Sequence, residues 1–181
     1  MENQNPKDVS PILSSIVIIT ALFLLTALLI PNTSTGSREK ARRIMCANNL
    51  KNIGLALKNY ADENDGLYPV QGAAPNQGFN QLITGEYLNI TKTYICRSSE
   101  KTVATGEGTL SKPVPDIENC YLYLPGPYSE IKEEEYNLKI GMVRDQNGNH
   151  KEYGNILFGD GHVKGYQGKS WWENPEVEWK K

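Results

Sequence analysis

Between Pro11 and Ile30 the chain carries no charge, and its only polar side chains are Ser14, Ser15, Thr20 and Thr26. As a helix, a run of about 20 residues rises roughly 30 Å, the thickness of a bilayer core. The pattern therefore predicts a transmembrane helix over 11–30, preceded by a short polar tail over 1–10. A cleaved secretory signal and a buried helix are the alternatives. The run is longer than a signal core and ends at Ile30-Pro31 without an A-x-A pattern, which favours a retained anchor. The stretch PNTSTGS, 31–37, predicts a hinge, and Ser37 is placed to cap a second helix starting at Arg38.

In that second helix Cys46, Leu50, Ile53, Leu57 and Tyr60 recur at spacings of four and three, which puts them on one face. Gly54 lowers helix propensity by roughly 1 kcal/mol against Ala, which points to close packing at that position. Gly66, with Pro69 beyond it, predicts the helix end. Further on, Gly78 to Leu88 reads as a short helix and Thr93 to Cys96 as a short strand. Arg97 to Glu118 reads as a long exposed loop. Four strands follow at Tyr121–Leu124, Lys139–Val143, Asn155–Phe158 and His162–Tyr166, the last two joined by a Gly159-Asp160-Gly161 turn. The expected class is α+β: a long N-terminal helix, its first half transmembrane, packed on a small antiparallel sheet over 38–170. A polar tail with three tryptophans occupies 171–181.

The net charge of −2 gives no general reason to bind nucleic acid. The basic residues Arg38, Lys40, Arg42 and Arg43 behind the apolar run would, by the positive-inside rule, hold the following domain in the cytoplasm. No nucleophile–base pattern or metalloprotease motif occurs, and Gly106 to Thr109 is too short for a phosphate loop, so no enzyme activity and no cofactor are expected.

The segment REKARRIMCANNLKNIGLALKNYADENDGLYP resembles the region following the membrane helix in bacterial pilin-like and pseudopilin-like proteins. His150, nine residues, then Asp160-Gly161 is similar to the H-x9-DG signature of a pilin-like subgroup. YICRSS is similar to a Cys-Pro-Ser element, with Arg97 in place of the proline. The resemblance implies a pilin-like fold and a non-catalytic subunit of a type II secretion or type IV pilus-like assembly. It also implies other pilin-like subunits or secretion-system proteins as partners. It places the protein in the inner membrane, single-pass, with the C-terminal domain outside the cytoplasm, and on topology it is preferred to the basic cluster. The leader departs from the family pattern. Val9 falls where a Gly precedes the cleaved bond, and Ser14 falls near the position of the usual Glu. The expectation is a pilin-like fold without evident prepilin processing and without the contact that sets filament register. The alternative function is a free-standing anchored module, for example for polysaccharide, that does not polymerise.

Several residues are candidate sites. His150, Asp160, His162 and Asp145 combine imidazole and carboxylate in a way that suits a transition metal. Their spacing matches no dedicated site, and a hairpin turn with a hydrogen-bonded His150 is the expected structural role. Asp62, Asn64 and Asp65 before Gly66 faintly resemble a calcium loop but lack the late bidentate Glu, so a helix cap is preferred. The three cysteines, Cys46, Cys96 and Cys120, form no C-x-x-C pair, which argues against zinc. A Cys96–Cys120 disulfide would close the exposed loop and is slightly preferred. A Cys46–Cys96 bridge would tie helix to sheet, and Cys46 on the apolar stripe is equally suited to the core. Trp171 and Trp172 are candidates to contact a sugar or a partner protein, against the alternative that they fold back onto the domain.

Overall fold

In the computed structural model the described residues are 9–29, 35–69, 77–99, 120–124 and 138–179. Helix α1 runs Val9–Leu29, α2 Thr35–Glu63 and α3 Gln77–Thr84, followed by a 3-10 turn at Thr91–Tyr94. Four strands follow: β1 Tyr121–Tyr123, β2 Gly141–Asp145, β3 Tyr153–Phe158 and β4 Val163–Gln167. A second 3-10 turn occupies Trp171–Glu173. The class is α+β, as the periodicity predicts. Two of the elements differ in detail. Thr91–Tyr94 coils as a 3-10 turn where a strand was expected, and α2 starts before Ser37. Of the expected hinge over 31–37, residues 35–37 are already helical in α2; residues 31–34, most of the loop ending at Glu118, and the acidic run Glu130 to Tyr136 lie outside the described residues.

The chain divides into two compact units, Met1–Ser37 and Arg38–Lys181. The first holds α1. The membrane span expected there, and with it the single-pass inner-membrane localisation, is corrected by the structure. No helix among the described residues is long and apolar enough to cross a membrane. The side chains of α1 are described over 12–27. Within that stretch Thr20 and Thr26 turn their hydroxyls back to donate to the carbonyls of Ile16 and Phe23.

In the second unit the strands form one antiparallel meander in the order β1-β2-β3-β4. One layer is built where the apolar stripe of α2 meets it. Cys46, Leu50, Ile53, Leu57 and Ala61 are buried in a common cluster with Phe79, Tyr94, Tyr123, Val143 and Leu157. Gly54 sits where α2 crosses β3, and a Cβ there would lie 2.9 Å from Leu157 Cδ1. The missing side chain lets the helix come close to the strand. Helix α2 ends as expected, with the Gly66 amide donating to the Ala61 carbonyl at 2.9 Å. Asn64 donates to the Tyr60 carbonyl, so the calcium-like Asp62-Asn64-Asp65 stretch works as the turn that closes the helix.

β3 is buried from Gly154 to Phe158, so both of its faces are covered. The second cover is the C-terminal segment, read from sequence as an exposed tail. Glu178 pairs in parallel with Ile140: the Gly141 amide donates to the Glu178 carbonyl, and the Glu178 amide donates to the Lys139 carbonyl. Trp171 is only 3% exposed and packs with Ile156, Phe158, Tyr166 and Val177. Its ring lies over Gly154, where a Cβ would approach Trp171 Cζ2 to 2.1 Å. Trp172 and Trp179 are partly buried against the same cluster, and Trp179 Nε1 donates to the Trp172 carbonyl. Trp171 and Trp172 are therefore packing residues, because β3 needs an apolar cover on its outer face.

Gly154→Ala should displace the Trp171 ring, at a cost of about 1–3 kcal/mol for overpacking. Urea unfolding followed by tryptophan fluorescence checks this. A stability unchanged from wild type would mean that the ring does not rest on Gly154.

Candidate functional site

The polar residues of the second unit's interior gather where the first turns of α2, the segment after the Thr91–Tyr94 turn, and the β2–β3 connection meet. Cys46 comes from α2, Cys96 from the coil beyond the 3-10 turn, and His150 from the turn leading into β3. All three are buried, with His150 4% exposed. Cys46 Sγ and Cys96 Sγ lie 2.6 Å apart, and His150 Nε2 is 3.5 Å from Cys96 Sγ. The three donor atoms all lie within 4.8 Å of one another. The cysteines are free thiols.

Around this core the charges are arranged in pairs. His150 Nδ1 meets Glu39 Oε1 at 2.6 Å, and Ser98 Oγ donates to the other oxygen of Glu39. Asp145 Oδ2 is 3.9 Å from His150 Nε2. The same oxygen accepts the Asn155 backbone N–H at 2.7 Å and its side-chain amide at 2.9 Å. Asn155 Nδ2 also reaches the Arg43 carbonyl, and its Oδ1 accepts the Tyr153 hydroxyl. Asp145 Oδ1 is buried and has no hydrogen-bond partner.

The surroundings shift the protonation of every group. Burial pushes the Asp145 carboxyl up to about 6, against the pull of the Asn155 donors and His150. The hydrogen bond from the Cys46 thiol holds Cys96 well below the usual thiol range. Burial opposes that shift, and His150 adds to it. Cys46 is correspondingly raised, by its bond to Cys96 and by burial. Burial alone would deprotonate His150, but Cys96, Glu39 and Asp145 together outweigh it and raise its affinity for a proton. Partial burial pushes Glu39 up, yet the bonds from His150 and Ser98 leave it below the usual carboxylate range. The Cys96 and His150 shifts run the same way, favouring the proton on His150 over Cys96.

The four candidate metal ligands read from the sequence separate into two groups. His150 and Asp145 belong to the buried cluster. Asp160 and His162 form the β3–β4 turn, where Asp160 Oδ1 meets the His162 backbone amide at 3.0 Å and Nδ1 at 2.6 Å. The His162 ring stacks on Phe158 at 4.3 Å. Gly161 takes φ +90 in this turn, as the Asp160-Gly161 pair predicts. The preferred Cys96–Cys120 pairing is also not what the fold assembles. Cys96 faces Cys46, while Cys120 Sγ sits 3.0 Å from Ser99 Oγ. In the sequence Glu39 is one charge in a basic run and carries no signal of its own. The cysteine spacing matches no zinc motif, and Cys46 on the buried stripe is the one clue that the sequence offers.

A family model described as a protein of unknown function, DUF1559 (SBP_bac_10), matches residues 36–85, which include Glu39 and Cys46. No curated protein and no solved structure matches the chain.

Asn155→Ala would leave the buried Asp145 carboxylate with one donor fewer. Loss of a hydrogen bond to a buried charged group costs about 1.5–3 kcal/mol. We expect a destabilisation in that range by urea denaturation at neutral pH. A change of a few tenths would show that Asn155 is not what holds the carboxylate.

Proposed function

We propose that this protein is a non-catalytic, pilin-like accessory subunit of a type II secretion or type IV pilus-like assembly. The observation that carries this reading is α1. Every side chain described in it, from Ile12 to Ala27, is exposed, and Phe23 is 74% exposed. A helix apolar on all sides has no face suited to water and must be covered on all sides. An exposed apolar surface of that extent marks an interaction site. Burying each of its Leu, Ile, Val and Phe side chains is worth about 1.5–3 kcal/mol, and like helices packed side by side offer that cover.

Two further features support the reading. The segment matched by the family model, 36–85, falls largely on the stretch whose sequence resembles the region following the membrane helix in pilin-like proteins. His150 and Asp160-Gly161 have the spacing of the H-x9-DG signature. Trp171, one of the two tryptophans behind the polysaccharide-binding alternative, is buried within the segment that covers β3, which leaves less ring surface for a sugar.

A photo-crosslinking amino acid at Phe23 of the full-length protein, activated in the native cells, should give adducts to a second copy or to a related pilin-like chain. Phe23→Asp should lower the recovery of that complex about tenfold, equivalent to 1.4 kcal/mol. A chain that yields no protein adduct and runs as a monomer would sink the proposal.

A further inference from the structure

We propose that Cys46, Cys96 and His150, with Asp145 beside them, form a structural binding site for a single borderline-soft divalent metal ion of the zinc class. Two thiolates, one imidazole and a carboxylate suit such an ion and suit neither calcium nor magnesium. Residues about fifty positions apart in sequence converge here, from three different segments, to within 4.8 Å of one another. Convergence of this kind is not a by-product of apolar packing, which would favour spreading polar groups towards water.

Two independent features point to a cation. First, His150 is held as metal-bound histidines are held, with its far nitrogen on a carboxylate. Nδ1 meets Glu39 at 2.6 Å, and Glu39 is itself fixed by Ser98. Such a partner orients the ring and leaves Nε2, the nitrogen facing the sulfurs, to bind the ion. Second, Asp145 is 0% exposed, and its Oδ1 lacks any hydrogen-bond partner. A buried carboxylate oxygen without a partner is costly, and a divalent ion bound nearby offsets that cost. Asp145 Oδ2, held by Asn155, lies 3.9 Å from Nε2, so the carboxylate stands beside the imidazole.

Binding requires a small rearrangement. At about 2.3 Å from a tetrahedral ion, two thiolates stand roughly 3.7 Å apart, whereas the sulfurs here are 2.6 Å apart. They must separate by about 1 Å, a distance within reach of a modest rotation about the cysteine Cα–Cβ bonds. Binding also releases two protons, one for each thiolate the ion takes up, with His150 bound as the neutral imidazole. The ion's two positive charges replace them, so the interior gains no net charge. With three donors from the protein, the Asp145 carboxylate beside the imidazole and all four residues buried, the site is closed to bulk water. Its role is to clip the start of α2 to the sheet and to the segment after the Thr91–Tyr94 turn.

The test uses the full-length protein, reduced and stripped of metal, titrated with Co2+ alone. We expect one equivalent to bind, with sulfur-to-cobalt charge-transfer absorption and the intense visible bands of a tetrahedral ion, and Zn2+ to displace it. Cys46→Ser and His150→Ala should weaken binding by more than the roughly 100-fold ceiling for outer-shell changes, and Glu39→Gln by about 10–100-fold. Cys120→Ser should bind as wild type, which distinguishes the site from adventitious thiol binding. Glu39→Gln and Cys120→Ser leave both cysteines of the site and its histidine intact, so they remain informative should the ligand variants fail to fold. Folded, reduced protein without the cobalt–sulfur absorption would overturn the proposal. So would protein isolated without reductant that contains no zinc and shows the mass deficit of a Cys46–Cys96 disulfide, because the sulfurs would then be bound to each other.

Discussion

The packing of one helical stripe on one strand governs this domain. Leu50, Ile53 and Leu57 of α2 have no route out of water except against the sheet, and Leu157 of β3 meets them at the glycine that lets the backbones approach. At about 1.5–3 kcal/mol for each fully buried aliphatic side chain, these contacts outweigh the propensity lost at Gly54, roughly 1 kcal/mol. Every other feature is placed relative to this contact.

The contact makes β3 the central element and leaves its other face to be covered. A strand apolar on both faces cannot end a two-layer fold. The C-terminal segment supplies the second cover by pairing with Ile140 and laying Trp171 over Gly154. The same alternation that sends Leu157 to the helix sends Ile156 and Phe158 to the tryptophans. The polar Asn155 faces α2 near its start, where its amide reaches both Asp145 and the Arg43 carbonyl.

That end of the interface is where the apolar stripe gives way to charge. Cys46 is the first stripe residue, and one helical turn and more before it Arg43 and Glu39 reach over the sheet's edge. Arg43 stacks on the Tyr153 ring at 4.3 Å, and Glu39 takes His150. The buried cluster therefore lies at the seam between core and surface. There a titratable group can be shielded from water and still reach a charged partner. The described apolar side chains of α1, by contrast, are exposed.

The sequence by itself determined the α+β class, the buried face and end of α2, the four strands to within a few residues, and the Asp160-Gly161 turn. These are local properties: a period of 3.6 or 2, and a backbone angle that one residue type accepts. It could not decide what covers β3, because a tryptophan-bearing polar tail reads the same whether it folds back or stays free. It also could not assemble the cluster. Glu39, Cys46, Cys96, Asp145 and His150 share no motif, and their meeting depends on which residues of α2 lie over which strand. The pairing of Cys96 with Cys46, and the separation of His150 from Asp160 and His162, were set by long-range register alone. Only the helix-on-sheet contact establishes that register.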